Sequence, residues 1–196
     1  MFLHLQTRSK LVNSALILLF YVLLCSLFCA CTPTFNWRQV QLDIANGSSL
    51  KAALPCKPDN ATRKQQLGDI QVELSMMGCV ANETTFTLSR IPLANPLDAP
   101  KVLTAWQTAA VANVGVNAGD KQVGGKPVPL TAANVSGAGA WPPAVSVTLN
   151  GAATQAHMLW FAKQTATGVT LYQAALYGKQ PSNEAITTFF ESLQLQ

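Results

Sequence analysis

The N-terminus constrains this chain more than any later stretch, because it separates what can fold from what cannot. Arg8 and Lys10 precede an apolar run, Ala15 to Ala30, which ends at Cys31 and gives way to Thr32-Pro33-Thr34. A positive region, an apolar region and a small residue before a boundary form the pattern of an export signal, which adds nothing to a globular core. With 1–30 set aside as signal and 31–36 as a tether, the foldable part is 37–196. Residues 31–196 number 166, the size of a single domain. Export also places later cysteines where they are free to pair.

The boundary itself, Leu27-Phe28-Cys29-Ala30-Cys31, resembles the lipobox of bacterial lipoproteins, in which small residues and an aliphatic one precede a modified Cys. Cys29 and Ala30 fit the small positions; Phe28 stands where the pattern has Leu, Val or Ile. The resemblance implies cleavage before Cys31, acylation of Cys31 and a domain anchored in the bacterial envelope facing the periplasm. Thr32 instead of Asp after the Cys implies the outer membrane. Several acyl chains anchor stably where one binds only marginally, at about 0.8 kcal/mol per buried methylene. Two alternatives stay open. Residues 11–31 are 21 in number, enough for an uncleaved anchor at about 20 residues per crossing. Ordinary signal-peptidase cleavage would release a soluble secreted protein. In each case the domain lies across the membrane from Arg8 and Lys10.

Without its signal the chain has 11 basic and 9 acidic residues, a net charge of +2. The densest basic pair is Arg63-Lys64, so nucleic acid is not an expected partner. Charged residues make up 11% of the chain, which leaves few acid–base candidates. Cys25 and Cys29 fall in the signal and Cys31 at its end. Cys56 and Cys79 remain, and a bridge between them would close a loop worth about 3 kcal/mol in chain entropy. The alternative is two buried free thiols. Two cysteines without companion ligands do not make a metal site.

Hydrophobic periodicity predicts strands at 37–44, 50–54, 63–67, 70–80 and 84–91, with turns at Asn46-Gly47, Gly68-Asp69 and Asn82-Glu83. Pro55 and Pro58 exclude a central strand around them. In 70–80, Ile70, Val72, Leu74 and Met76 alternate with polar residues, as in a half-buried antiparallel strand. Leu97 to Val114 predicts a helix, capped by Asp98 and started by Pro100, with Val102, Leu103, Trp106, Ala109, Ala110 and Val114 as its apolar stripe. Short strands at 121–123 and 128–130 flank a Gly124-Gly125 turn. A meander follows at 144–150, 155–163 and 169–177. Ser182 caps a last helix whose face is Ile186, Phe189, Phe190 and Leu193.

This is an α+β order, an antiparallel sheet covered by helices, and it resembles the PsbP-like fold. Leu54-Pro55-Cys56-Lys57-Pro58, Leu171-Tyr172 and Phe189-Phe190-Glu191-Ser192-Leu193 carry the likeness, which spans roughly 50–196. It implies a binding module or scaffold without enzymatic activity or cofactor, and transfers no functional residue. The expected partners are the membrane, through Cys31, and an envelope protein. One candidate contact surface is Trp141-Pro142-Pro143 in the Gly/Ala-rich 117–141 stretch; the alternative has Trp141 packed under its own loop. A second hypothesis is a carrier of a small apolar ligand or lipid between sheet and helices.

Catalytic patterns are sparse. His157 is the sole histidine after the signal. It is in phase with Leu159 and Phe161, as a structural histidine would be; a hydrolase would need it beside a Ser or Asp at a pocket floor. No G-x-S-x-G elbow exists. Asp69 and Glu73 form a nominal carboxylate pair, but Asp69 falls in a turn. Gly119 to Lys126 fails the phosphate-loop pattern, with Pro127 where Ser or Thr is needed.

Overall fold

A seven-stranded antiparallel sheet forms the middle of the unit Phe35–Gln196 and is packed on both faces. The computed structural model describes residues 35–45, 47–114, 123–127, 145–150 and 154–196, all within the unit Phe35–Gln196. The proposed signal, Cys31, Asn46, the strand expected at 128–130 and the Trp141-Pro142-Pro143 surface lie outside the described residues. The strands are β1 (Arg38–Ala45), β2 (Ser48–Leu54), β3 (Asp59–Leu67), β4 (Ile70–Ala81), β5 (Thr84–Leu93), β6 (Val123–Pro127), β7 (Val145–Asn150), β8 (Gln155–Thr165), β9 (Gly168–Gly178) and β10 (Gln194–Leu195). The helices are α1 (Ala99–Asn113) and α2 (Asn183–Glu191). Among the described residues no helix is long and apolar enough to cross a membrane.

The large sheet has the order β3-β4-β5-β9-β8-β7-β6, and a smaller one the order β1-β2-β10. Two meanders, β3 to β5 and β6 to β9, meet through the antiparallel β5–β9 pair. Turn chemistry explains the first. Gly68, at φ 63°, supplies the left-handed residue between β3 and β4. Asn82 and Glu83, at φ 48° and 57°, both lie in that region between β4 and β5, as a two-residue primed turn requires. Asn tolerates this conformation, whereas for Glu83 it costs about 1 kcal/mol.

Helix α1 covers one face of the large sheet. Ala99, Val102, Leu103, Trp106 and Ala110 are its buried stripe, packed on Val72, Leu74, Ile91, Leu171, Met158 and Trp160. The small sheet and α2 cover the other face. There Leu50, Leu54, Phe189 and Leu193 meet Phe86, Leu88, Phe161, Tyr172 and Leu176. Ser182 caps α2 as expected, its hydroxyl accepting from the Ala185 N–H. At the other end the Ser192 hydroxyl donates to Phe189 O at 2.7 Å and accepts from the Ala53 N–H at 2.8 Å. One side chain thus closes the helix and holds it to β2.

Several local expectations need correction. Asp98 makes no side-chain cap on α1; Asn95 caps a preceding 3-10 turn, Pro96–Asp98, by accepting from the Leu97 N–H. The chain already curls before α1, so the helix needs no cap at its first residue. Gly124 and Gly125 are inside β6 and not in a turn. They sit where the register with β7 shifts, on an edge strand that tolerates both Gly and Pro127. Strand β3 begins at Asp59, directly after Pro58, because it too is an edge. Strand β4 is half-buried only at its start. Ser75 and Met77 are buried as well, since that half of the strand lies between the two packed faces.

Candidate functional site

Alternation along β5 and β9 puts two polar side chains on the apolar face beneath α1. Ser89 and Gln173 are directly paired across these strands and only 3% and 5% exposed. Met76 flanks Ser89 on β4, and Trp160 flanks Gln173 on β8. Among the described residues the Gln173 carboxamide donates only to Met158 Sδ, at 3.9 Å, a long contact to a weak acceptor. The Trp160 Nε1–H is buried without a partner among the described residues. Buried polar groups of this kind ordinarily find one, so a face that leaves them short is either poorly packed or built around something.

Next to them is a cavity of about 150 Å3 between the sheet and the second half of α1. Ser89, Gln173 and Thr87 line it from the central strands, Trp106, Ala110 and Asn113 from α1. Arg63 and Gln65 reach it from the exposed edge strand β3. Tyr177 also lines it, and burial pushes its phenol up to about 12. The wall is therefore mixed, with a buried amide and hydroxyl inside and a guanidinium at the edge. A more open groove of about 520 Å3 runs beside Cys56, Asn60, Cys79 and Val80.

Cys56 and Cys79 form a disulfide, with Cα atoms 6.0 Å apart. Asp59 pairs with Gly78, so the segment leaving β2 passes beside the end of β4 and brings the two cysteines together. The bridge joins the exit of the small sheet to the large one.

His157 sits on the face opposite the cavity, in the strand phase of Leu159 and Phe161. Its Nδ1 is 3.3 Å from the Thr148 hydroxyl, and burial lowers its basicity. It lines neither the cavity nor the groove. Asp69 and Glu73 are not a working pair. Asp69 binds Lys101 of α1 at 2.5 Å, and that bond holds its carboxyl below the usual range. Arg63-Lys64 is exposed, as expected. Among the described residues no group of three His, Cys, Asp or Glu side chains is placed to hold a metal ion. Trp106 is the core anchor its spacing predicts and is also a cavity wall. Ser89 and Gln173 were not singled out by sequence reasoning. Gln173 carried a signal, a polar residue between Leu171 and Ala175 on one strand face, whereas Ser89, between Thr87 and Ile91, carried none.

No family profile matches this chain, and no well-characterised relative matches it either. Among solved structures, the immunity protein TplEi of T6SS from Pseudomonas aeruginosa, complexed with "L" peptide, is similar over 89% of this chain and 83% of its own. The identity is 12% and the TM-score 0.33, too slight a likeness to carry an argument about this chain.

Proposed function

We propose that the chain is a non-catalytic module of the bacterial cell envelope, anchored through acyl chains on Cys31 and facing the periplasm, that binds a protein or another envelope component. The Cys56–Cys79 disulfide carries this reading. Structural disulfides persist in oxidising compartments, so the bridge agrees with the export pattern at the N-terminus. It also engages both later cysteines, which leaves Cys31 as the sulfur at the lipobox position. The antiparallel sheet under helices agrees in outline with the PsbP-like layout, and that affiliation is part of the proposal.

Intact-mass spectrometry of the membrane-extracted protein tests it. The expected mass is that of 31–196 plus acyl chains, less the two hydrogens lost to the bridge. A full-length unacylated mass, or two free thiols, would overturn it. A Cys31→Ser variant should lose the acyl mass and leave the membrane fraction or accumulate uncleaved. The apolar-carrier hypothesis gains no support from the cavity beneath α1. Sites for drug-sized ligands run to about 300–1,000 Å3 with mainly apolar walls, and this one is smaller and polar within.

A further inference from the structure

The cavity beneath α1 has three features that define a ligand. Its volume of about 150 Å3 is that of a cavity that accepts a benzene-sized molecule. Its interior offers a hydroxyl and a carboxamide, from Ser89 and Gln173, both more than nine-tenths buried. Among the described residues the Gln173 amide has only Met158 Sδ to donate to, so a better acceptor would be bound at little desolvation cost. Its edge carries a cation, Arg63, and among the described residues no carboxylate lies within ion-pair distance of it; the ion pair nearby is Lys101 with Asp69. Trp106 and Met76 supply apolar wall in between. A purely apolar guest would leave Ser89 and Gln173 unmatched, and a guest without charge would leave Arg63 unused.

We propose that this cavity binds a short-chain carboxylic acid with a second polar group at its far end. The carboxylate pairs with Arg63 at the edge, the stem packs on Trp106, and the distal hydroxyl or amide meets Ser89 and Gln173. This goes beyond the envelope reading and does not depend on how the chain is anchored. The acid is a free small molecule, because the buried polar pair asks for a ligand that is polar at both ends.

The test is a titration of the full chain in detergent with γ-hydroxybutyrate and with butyrate, followed by NMR of the Trp106 indole and Gln173 carboxamide. Saturable shifts at both groups are expected with γ-hydroxybutyrate. It should bind about tenfold tighter than butyrate, roughly the value of one well-made buried hydrogen bond. Arg63→Gln changes an exposed residue and should weaken both acids by about threefold to tenfold. Ser89→Ala should erase most of the preference for the hydroxy acid. No saturable shift at these two groups would overturn the proposal. So would equal affinities for the two acids, or affinities indifferent to Arg63→Gln. None of these outcomes bears on the acylation of Cys31, which the mass measurement decides.

Discussion

The two faces of the large sheet are packed in different ways. Beneath the small sheet and α2, aromatic rings interlock. Phe86 meets Trp37 and Phe189 edge-on at 5.9 and 5.5 Å, and Phe161 stacks on Tyr172 at 5.4 Å. Most buried polar groups there are matched: the Tyr172 and Ser48 hydroxyls share a 2.7 Å hydrogen bond, and Thr170 donates to Ala45 O, while Arg90 Nε, opposite Tyr172, is buried without a partner among the described residues. Beneath α1 the packing is mostly aliphatic around Trp106 and Trp160, with no ring pair among them, a cavity remains, and Gln173 and the Trp160 N–H lack good partners among the described residues. The Lys101–Asp69 pair that ties α1 to the β3–β4 turn is exposed and therefore weak. The contrast teaches that one face is built to hold the fold and the other leaves room for a guest.

The strongest way to break this comparison is to hollow the aromatic face. Phe86→Ala should cost about 3–5 kcal/mol, read as a shift in denaturant midpoint; a loss under about 1 kcal/mol would mean that this face is not the stabilising one. Replacing Cys56 and Cys79 together by Ser should cost about 3 kcal/mol, in a melt compared with wild type under oxidising conditions. Ser48→Ala removes the 2.7 Å partner of the Tyr172 hydroxyl and should cost about 1–3 kcal/mol, while Ser89→Ala, on the cavity face, should cost clearly less. Equal losses would erase the distinction between matched and unmatched polar groups. Outside both faces, Glu83→Gly should stabilise by about 0.5–1 kcal/mol, because glycine accepts the left-handed turn position without strain.

Stability against pH reports on the faces separately. His157, on the aromatic side, has its folded pKa lowered by burial. The unfolded state then binds more protons, so stability should fall as pH drops below about 6.5, the free-histidine value, toward the folded one. His157→Gln should flatten that acid limb. Tyr177, at the cavity, is raised to about 12 by burial. Its contribution is intact below about pH 10 and is lost as pH rises toward the folded value, so Tyr177→Phe should flatten the alkaline limb. A ligand in the cavity should alter the second limb and leave the first unchanged.

Much of the fold was legible in local pattern. The turns at Gly68 and at Asn82-Glu83, the strands either side of them, the α1 stripe and the Ser182 cap depend on neighbours in sequence. The meander from β7 to β9 was legible too, because each of its strands pairs with the next. What local pattern missed depends on partners far along the chain. Strand β10 is only Gln194–Leu195 and exists because β2 accepts it as a neighbour. The double burial of β9 follows from its place between β5 and β8, with cover on both faces. The paired glycines of β6 look like a turn until β7 is beside them.

The site divides along the same line. Sequence alone determined the export pattern and the eligibility of Cys56 and Cys79 to pair, because each rests on residue identity and count. It also determined an antiparallel α+β order, because periods of two and of 3.6 are written in the chain. Only the tertiary structure decided that Ser89 and Gln173 stand side by side beneath α1 with Arg63 at the edge. Those residues lie on β5, β9 and β3, and no local pattern places them together. The physical reason is that a cavity is what packing leaves unfilled. It belongs to the arrangement of α1 on four strands, β3, β4, β5 and β9, and to no segment by itself.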